Sequence, residues 1–165
     1  MNDTQVLWIV AAIVVLDIIV TGAAFVWALR RSAALKQELE RSTSAHERFL
    51  VSPQNAGYSG GPRRFGWVKG SGVLALTDRR VIFRRVFGGP LEIELADIAS
   101  VSEAAWYRGM YKAGRRHVIL HLKEGAKVAF MVRDASPWLE AFDKALPLFE
   151  AMGKTITHVG EQGAE

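Results

Sequence analysis

The sequence predicts an α+β protein in which an N-terminal transmembrane helix leads into a small antiparallel β barrel or sandwich, closed by a C-terminal helix. Three observations carry this. Residues Val6 to Leu29 are apolar apart from Asp17, Thr21 and Gly22; after Gly57 the apolar residues recur with a period of two; and from Trp138 to Phe149 they return to helical spacing. A chain of 165 residues, 50% of them apolar, holds one compact domain and an appendage rather than two ordinary domains.

Residues 1–5 form a short tail without Lys or Arg, and residues 6–29 form the span. At about 1.5 Å per residue the span is roughly 36 Å long, enough to cross a hydrocarbon core of about 30 Å with some tilt. A cleaved signal peptide would carry a basic start and a shorter apolar stretch, so the helix reads as a retained anchor. Arg30, Arg31 and Lys36 follow the span. By the positive-inside rule the N-terminus is outside and the C-terminal domain cytoplasmic, giving a single-pass protein of the cell membrane. Trp8 and Trp27 stand near the two ends as interface anchors.

Asp17 costs about 2.5–3.5 kcal/mol at mid-membrane. Asp17, Thr21, Ala24 and Ala28 share one helical stripe of small or polar residues, a surface suited to packing on another helix in a homo- or hetero-oligomer. The alternative is a protonated Asp17 bonded to its own helix or facing a water defect.

Residues 30–56 read as a helical stalk and linker. Leu35 and Leu39 are four apart and Lys36 pairs with Glu40. Pro53 ends the helix, and Asn55 to Pro62 reads as a flexible, turn-rich connection. A stalk of about 20 residues would hold the domain roughly 30 Å from the bilayer, unless the linker let it fold back.

The β domain is assigned to residues 57–152, followed by a tail at 153–165. Around the Asp78-Arg79 turn a hairpin sets Leu74 opposite Phe83 and Leu76 opposite Val81. A turn centred on Gly88 would then set Phe83 opposite Ile93 and Arg84 opposite Glu92. Ile98 to Trp106 reads as a further strand. Val118, Leu120 and Leu122 form the core side of the next, and Val128, Phe130 and Val132 that of its return across Gly125. Ser136 is the expected N-cap and Pro137 the first helical residue; Trp138, Leu139, Phe142, Leu146 and Phe149 supply the apolar face, with a kink at Pro147.

The run Gly70 to Phe83, Gly-Ser-Gly-Val-Leu-Ala-Leu-Thr-Asp-Arg-Arg-Val-Ile-Phe, followed by Leu91 to Ile98 and Val101, resembles the opening of bacterial pleckstrin-homology-like and GRAM-like domains. The resemblance covers about residues 65–150 and rests mostly on core and turn positions, so it implies a fold more than a function. Arg63, Arg64 and Lys69 do not reproduce the basic spacing with which members of the first family hold inositol phosphates, and that specificity is not carried over.

Charge points to the class of partner. From Gly57 to Arg133 there are 14 Lys and Arg against 6 Asp and Glu, an excess that the whole-chain net charge of +4 understates. Two loops mix cations with aromatics, and they supply the candidate lipid- or partner-binding residues: Arg63, Arg64, Trp67 and Lys69 in one, and Arg108, Tyr111, Lys112, Arg115 and Arg116 in the other. Near an anionic leaflet each cation contributes about 1 kcal/mol. The same residues could instead form solvated loops with their aromatics folded onto the core.

Cysteine is absent, which excludes disulfides and thiolate chemistry. His117 and His121 share a strand face, but no third ligand completes a zinc site, and both read as surface histidines. No phosphate loop, dinucleotide fingerprint or nucleophile elbow occurs, so no catalytic residue, metal or cofactor is assigned, and the chain does not read as an enzyme. A tethered domain has few encounters with DNA, and nucleic acid is not an expected partner. The reading is a membrane-anchored binding or adaptor module for anionic lipid headgroups or an acidic protein segment. The alternative is an assembly subunit associating through the Asp17 face.

Overall fold

The computed structural model describes residues 3–42, 47–66 and 68–147. Trp67, Phe149 and the tail 153–165 lie outside the described residues. A long helix, α1 (Asp3–Ser42), precedes seven strands: β1 (Phe49–Gly60), β2 (Gly70–Thr77), β3 (Arg80–Arg85), β4 (Leu91–Glu94), β5 (Ile98–Ala104), β6 (Arg116–Leu122) and β7 (Lys127–Val132). A second helix, α2, occupies residues 136–147 at the end of the described chain. Helix α1 takes in Asp3 to Gln5 of the expected tail. It is long and apolar enough to span a membrane: its most apolar 18-residue window has a mean hydropathy of 2.0, and none of that window is buried.

The strands form one antiparallel sheet in the order β4-β3-β2-β1-β7-β6-β5. It is open, because β4 and β5 stand at opposite edges and do not pair, and the expected barrel is corrected on this point. β4 is only four residues long, and the 3-10 turn Leu95–Asp97 follows it at once. Leu95 N–H bonds to Arg79 C=O at 2.8 Å, while Lys123 N–H bonds to Asp97 C=O at 2.8 Å, so this turn ties the two ends of the sheet.

β1 replaces the expected end of the stalk and the flexible linker. Its register on β2 shifts between Phe49 and Val51 and again between Val51 and Gln54, which leaves Pro53 in an irregularity where its missing N–H disrupts no ladder. Beyond it, Gly57 and Tyr58 pair with β2 on one side and β7 on the other. The β2–β3 hairpin has the expected register, with Leu74 opposite Phe83 and Leu76 opposite Val81. The next turn centres on Phe87 rather than Gly88. Phe83 therefore meets Leu91, Val81 meets Ile93, and Glu92 lies opposite Ile82 rather than Arg84.

One face of the sheet carries the main core. Tyr58, Phe83 and Phe130 form an aromatic triad with ring centroids 5.3–6.1 Å apart, and Trp138 and Phe142 of α2 belong to the same buried cluster. α2 begins one residue earlier than its N-cap expectation. Ala135 C=O accepts from Leu139 N–H at 3.0 Å, and the Asp134 carboxylate accepts from Ser136 N–H at 3.0 Å. The opposite face is covered by the end of α1: Leu35 and Leu39 are buried with Val73, Ala75 and Ile82, and Phe49 and Val86 pack beside them. The expected free stalk is thus docked on the sheet. β2, buried on both faces from Gly72 to Thr77, is correspondingly apolar at successive positions.

Candidate functional site

The docking of α1 decides where the loops go. At 100° per residue, Ala28, Ser32, Leu35 and Leu39 fall on one face of the helix, within an arc of about 60°. Leu35 and Leu39 meet the sheet, while Ala28, Leu29 and Ser32 line a groove one to two turns nearer the apolar span. The Ser32 hydroxyl donates to Ala28 C=O at 2.9 Å, so the polar group serves its own helix. Above this point the ring of Trp27 rests on Phe87 of the β3–β4 turn, with centroids 5.3 Å apart.

The groove has a volume of about 770 Å³. Asn55 and Gly57 of β1, Ser71 of β2 and Met131 of β7 contribute to its lining, together with Val86, Phe87 and Met110. Its charged side chains are Lys69, Lys112 and Arg115, and no Asp or Glu lines it. The β1–β2, β3–β4 and β5–β6 connections therefore gather around the same turn of α1. Their tips also expose large apolar side chains, with Val68 and Phe87 each 76% and Tyr111 67% exposed.

Ion pairing sorts the sequence-predicted cations. Arg64 bonds to Glu124 at 2.5 Å and lies over the Phe65 ring; Arg116 stands 3.6 Å from Glu103. Arg63 sits in the 3-10 turn Arg63–Phe65. Arg108 adopts a positive φ of 47° and lies 6.0 Å from the ring of Tyr107. By contrast, Lys69, Lys112 and Arg115 have no carboxylate within ion-pair distance among the described residues. Tyr111, Arg115 and Arg116 line a second cavity of about 530 Å³, whose charge is mixed because Arg133, Glu103 and Asp134 line it too. Trp67 is outside the described residues. Asp17, Thr21 and Ala24 are exposed on α1, and Ala28 alone of that stripe reaches the groove.

Two buried groups hold the loops in place. Tyr58 donates to Gly66 C=O at 2.6 Å, and Arg85 lies over its ring at 4.8 Å while bonding to Phe65 C=O, which fastens the β1–β2 loop to the sheet. Burial raises the Tyr58 pKa, with Arg85 opposing, so the phenol stays protonated and donates. His117 is fully buried, which corrects its reading as a surface histidine. Its ring lies 6.1 Å from that of Tyr107, beneath the loop that carries Met110 and Lys112. Burial pushes its pKa below the ordinary 6.5, and the backbone of Ala104 and Ala105 opposes that shift. His121 differs: it shares a 2.8 Å hydrogen bond with Ser102. Among the described residues no cluster of His, Asp or Glu has the arrangement of a metal site.

Sequence reasoning missed the groove's apolar wall of Ala28, Leu29, Val86, Phe87 and Met110. The unbroken apolar run Val73 to Leu76 was the available signal, since a strand buried on both faces implies a second covering element.

No family model matches the chain, and no curated protein is similar to it. Among solved structures it is similar to the C-terminal domain of an unknown protein from Leishmania infantum, at 12% identity and a TM-score of 0.48, over 69% of this chain and 96% of that one.

Proposed function

We propose that the chain is a single-pass membrane-anchored binding module of the pleckstrin-homology-like kind, with its β domain cytoplasmic and its loop end held against the inner leaflet. The observation that carries this reading is the seating of Leu35 and Leu39 on the sheet. Leu29 ends the apolar span, and Leu35 follows six residues later, about 9 Å along the helix. The domain is then within roughly one Debye length, about 8 Å, of the headgroups, instead of the 30 Å that a free stalk would impose. Phe87, Val68 and the cations of the groove reach the zone where aromatic side chains and Lys or Arg are favoured.

The chain contains no cysteine, so single labels can be placed without removing any. A spin label at Phe87→Cys in the full chain, reconstituted in anionic bilayers, is expected at headgroup depth, and one at Glu140→Cys on α2 in bulk water. A Phe87 label as accessible to a water-soluble relaxant as the Glu140 label overturns the reading. A reporter fused after Glu165 and active only outside the cytoplasm overturns the orientation. A second reading, an assembly subunit that pairs through α1, is favoured by the exposure of Asp17, Thr21 and Ala24 on the face that continues above the groove. It calls for loss of an oligomer on Asp17→Leu with the Phe87 label depth unchanged.

A further inference from the structure

We propose that the groove between α1 and the sheet seats the headgroup of one anionic phospholipid, its phosphate held by Lys69, Lys112 and Arg115. This rests on the membrane-facing reading above and names the ligand of that surface.

The electrostatics select an anion. Three cations from two separate loops surround one concavity that no carboxylate lines. Elsewhere on these loops Arg64 and Arg116 already have acidic partners, whereas the three groove cations have no carboxylate within ion-pair distance among the described residues. Like charges gathered at one site repel each other, and an anion bound between them relieves that repulsion. The remaining lining selects an amphiphile. Ala28, Leu29, Val86, Phe87 and Met110 give the same groove an apolar lining. A free phosphate would leave that lining wet, whereas glycerol and the first acyl carbons cover it. A volume of about 770 Å³ exceeds what a lone phosphate fills and lies within the range of small-molecule sites, about 300–1,000 Å³. Position agrees with both, because the groove opens beside the helical turn that leaves the apolar span. A lipid of the same leaflet could enter without quitting the bilayer.

The test is lipid retention by the full chain, extracted from bilayers of equal phosphatidylcholine and phosphatidylglycerol and examined by native mass spectrometry. One phosphatidylglycerol per chain is expected to persist. The triple variant K69S/K112S/R115S should bind it about a hundredfold more weakly, as three contacts of roughly fivefold each combine. The variant K123S/K127S/R133S, with the same change in net charge outside the groove, should retain the lipid. Equal retention of phosphatidylcholine, retention unaffected by the groove variant, or equal loss in both variants overturns the proposal. Displacement by millimolar inorganic phosphate also overturns it, in favour of a site for free phosphate. The Phe87 label separates the two levels of inference. A label at headgroup depth with no specific lipid ends this proposal alone, and a label in water ends the membrane-facing reading beneath it.

Discussion

The two halves of α1 present the same chemistry to different surroundings. Leu16 and Leu29 are 62% and 54% exposed, whereas Leu35 and Leu39 are 3% and 1% exposed. Apart from Asp17 and Thr21, the upper half exposes mostly apolar side chains, the pattern of a helix able to span a membrane. The lower half needs cover on one face only, and finds it on Val73, Ala75 and Ile82. One helix thereby joins a segment apolar enough to span a membrane to a wall of the domain. The groove lies where the first role gives way to the second.

The largest effects should come from the sheet that receives the helix. Gly72 lies where a Cβ would stand 2.3 Å from Arg84 C=O and 2.6 Å from the Phe83 ring. Both neighbours are fixed, one as backbone and one as the centre of the aromatic triad. Gly72→Ala should cost more than about 3 kcal/mol and leave little folded protein, as overpacking at a rigid site does. Phe83→Ala, which opens a cavity in the same core, should cost about 3–5 kcal/mol. Urea unfolding of the full chain in nanodiscs, followed by near-ultraviolet dichroism, measures both. A loss below about 1 kcal/mol for Gly72→Ala would mean that β2 and β3 are not in the register described.

The contrast between the halves of α1 can be tested with one type of substitution. Leu35→Ala and Leu39→Ala should each destabilise the domain by about 2–4 kcal/mol, and Leu29→Ala by less than about 0.5 kcal/mol, because only the first two leave a protein cavity. Equal effects at Leu29 and Leu39 would deny the docking. Hydrogen exchange at the backbone amides of Val73 and Ala75 should rise in the Leu35 and Leu39 variants alone.

Much of the fold was legible in local pattern. The alternation through Leu74, Leu76, Val81 and Phe83 set the hairpin register, and the spacing of Trp138 and Phe142 marked the helix that covers the core. β1 was not, because Pro53, Asn55, Gly57 and Gly60 each signal a turn in isolation; only pairing on both sides makes them a strand. The β3–β4 register slipped by two residues because a Gly-Gly pair marks a turn without fixing its centre. Of the candidate site, the basic loops were visible as composition. Their division into paired Arg64 and Arg116 and unpaired Lys69, Lys112 and Arg115 depends on Glu124 and Glu103, which only the fold brings near.

His117 offers a way to loosen the loop over the sheet without touching α1. Its folded pKa is lowered, so the unfolded chain binds the extra proton more readily. Stability from this group is fully present above the ordinary 6.5, and it declines as pH falls from there toward the folded value. His117→Phe, of similar shape and without a titrating ring, should flatten that part of the pH profile. An unchanged slope between about pH 5 and 7 would assign the dependence to other groups.

The smallest effect belongs to the rim of the docked face, where Arg80 and Arg84 flank Ile82. Arg80 stands 3.0 Å from Glu47 and 2.6 Å from Glu92, while Arg84 reaches only Glu92, at 3.7 Å. The Glu47 side chain is 7% exposed and that of Glu92 34%, so removal of Arg80 strands a carboxylate away from water and removal of Arg84 does not. Arg80→Ala should therefore cost about 1–3 kcal/mol, and Arg84→Ala less than about 1 kcal/mol. Double-mutant cycles with Glu47→Gln and Glu92→Gln separate the pairs. Raising the salt concentration should weaken the Arg84–Glu92 coupling and leave the Arg80–Glu47 coupling nearly intact, since screening acts on exposed charges far more than on buried ones. A coupling of Arg84 to Glu92 as large as that of Arg80 to Glu47 would show that this edge of the sheet is shielded from water beyond the reach of the docked helix.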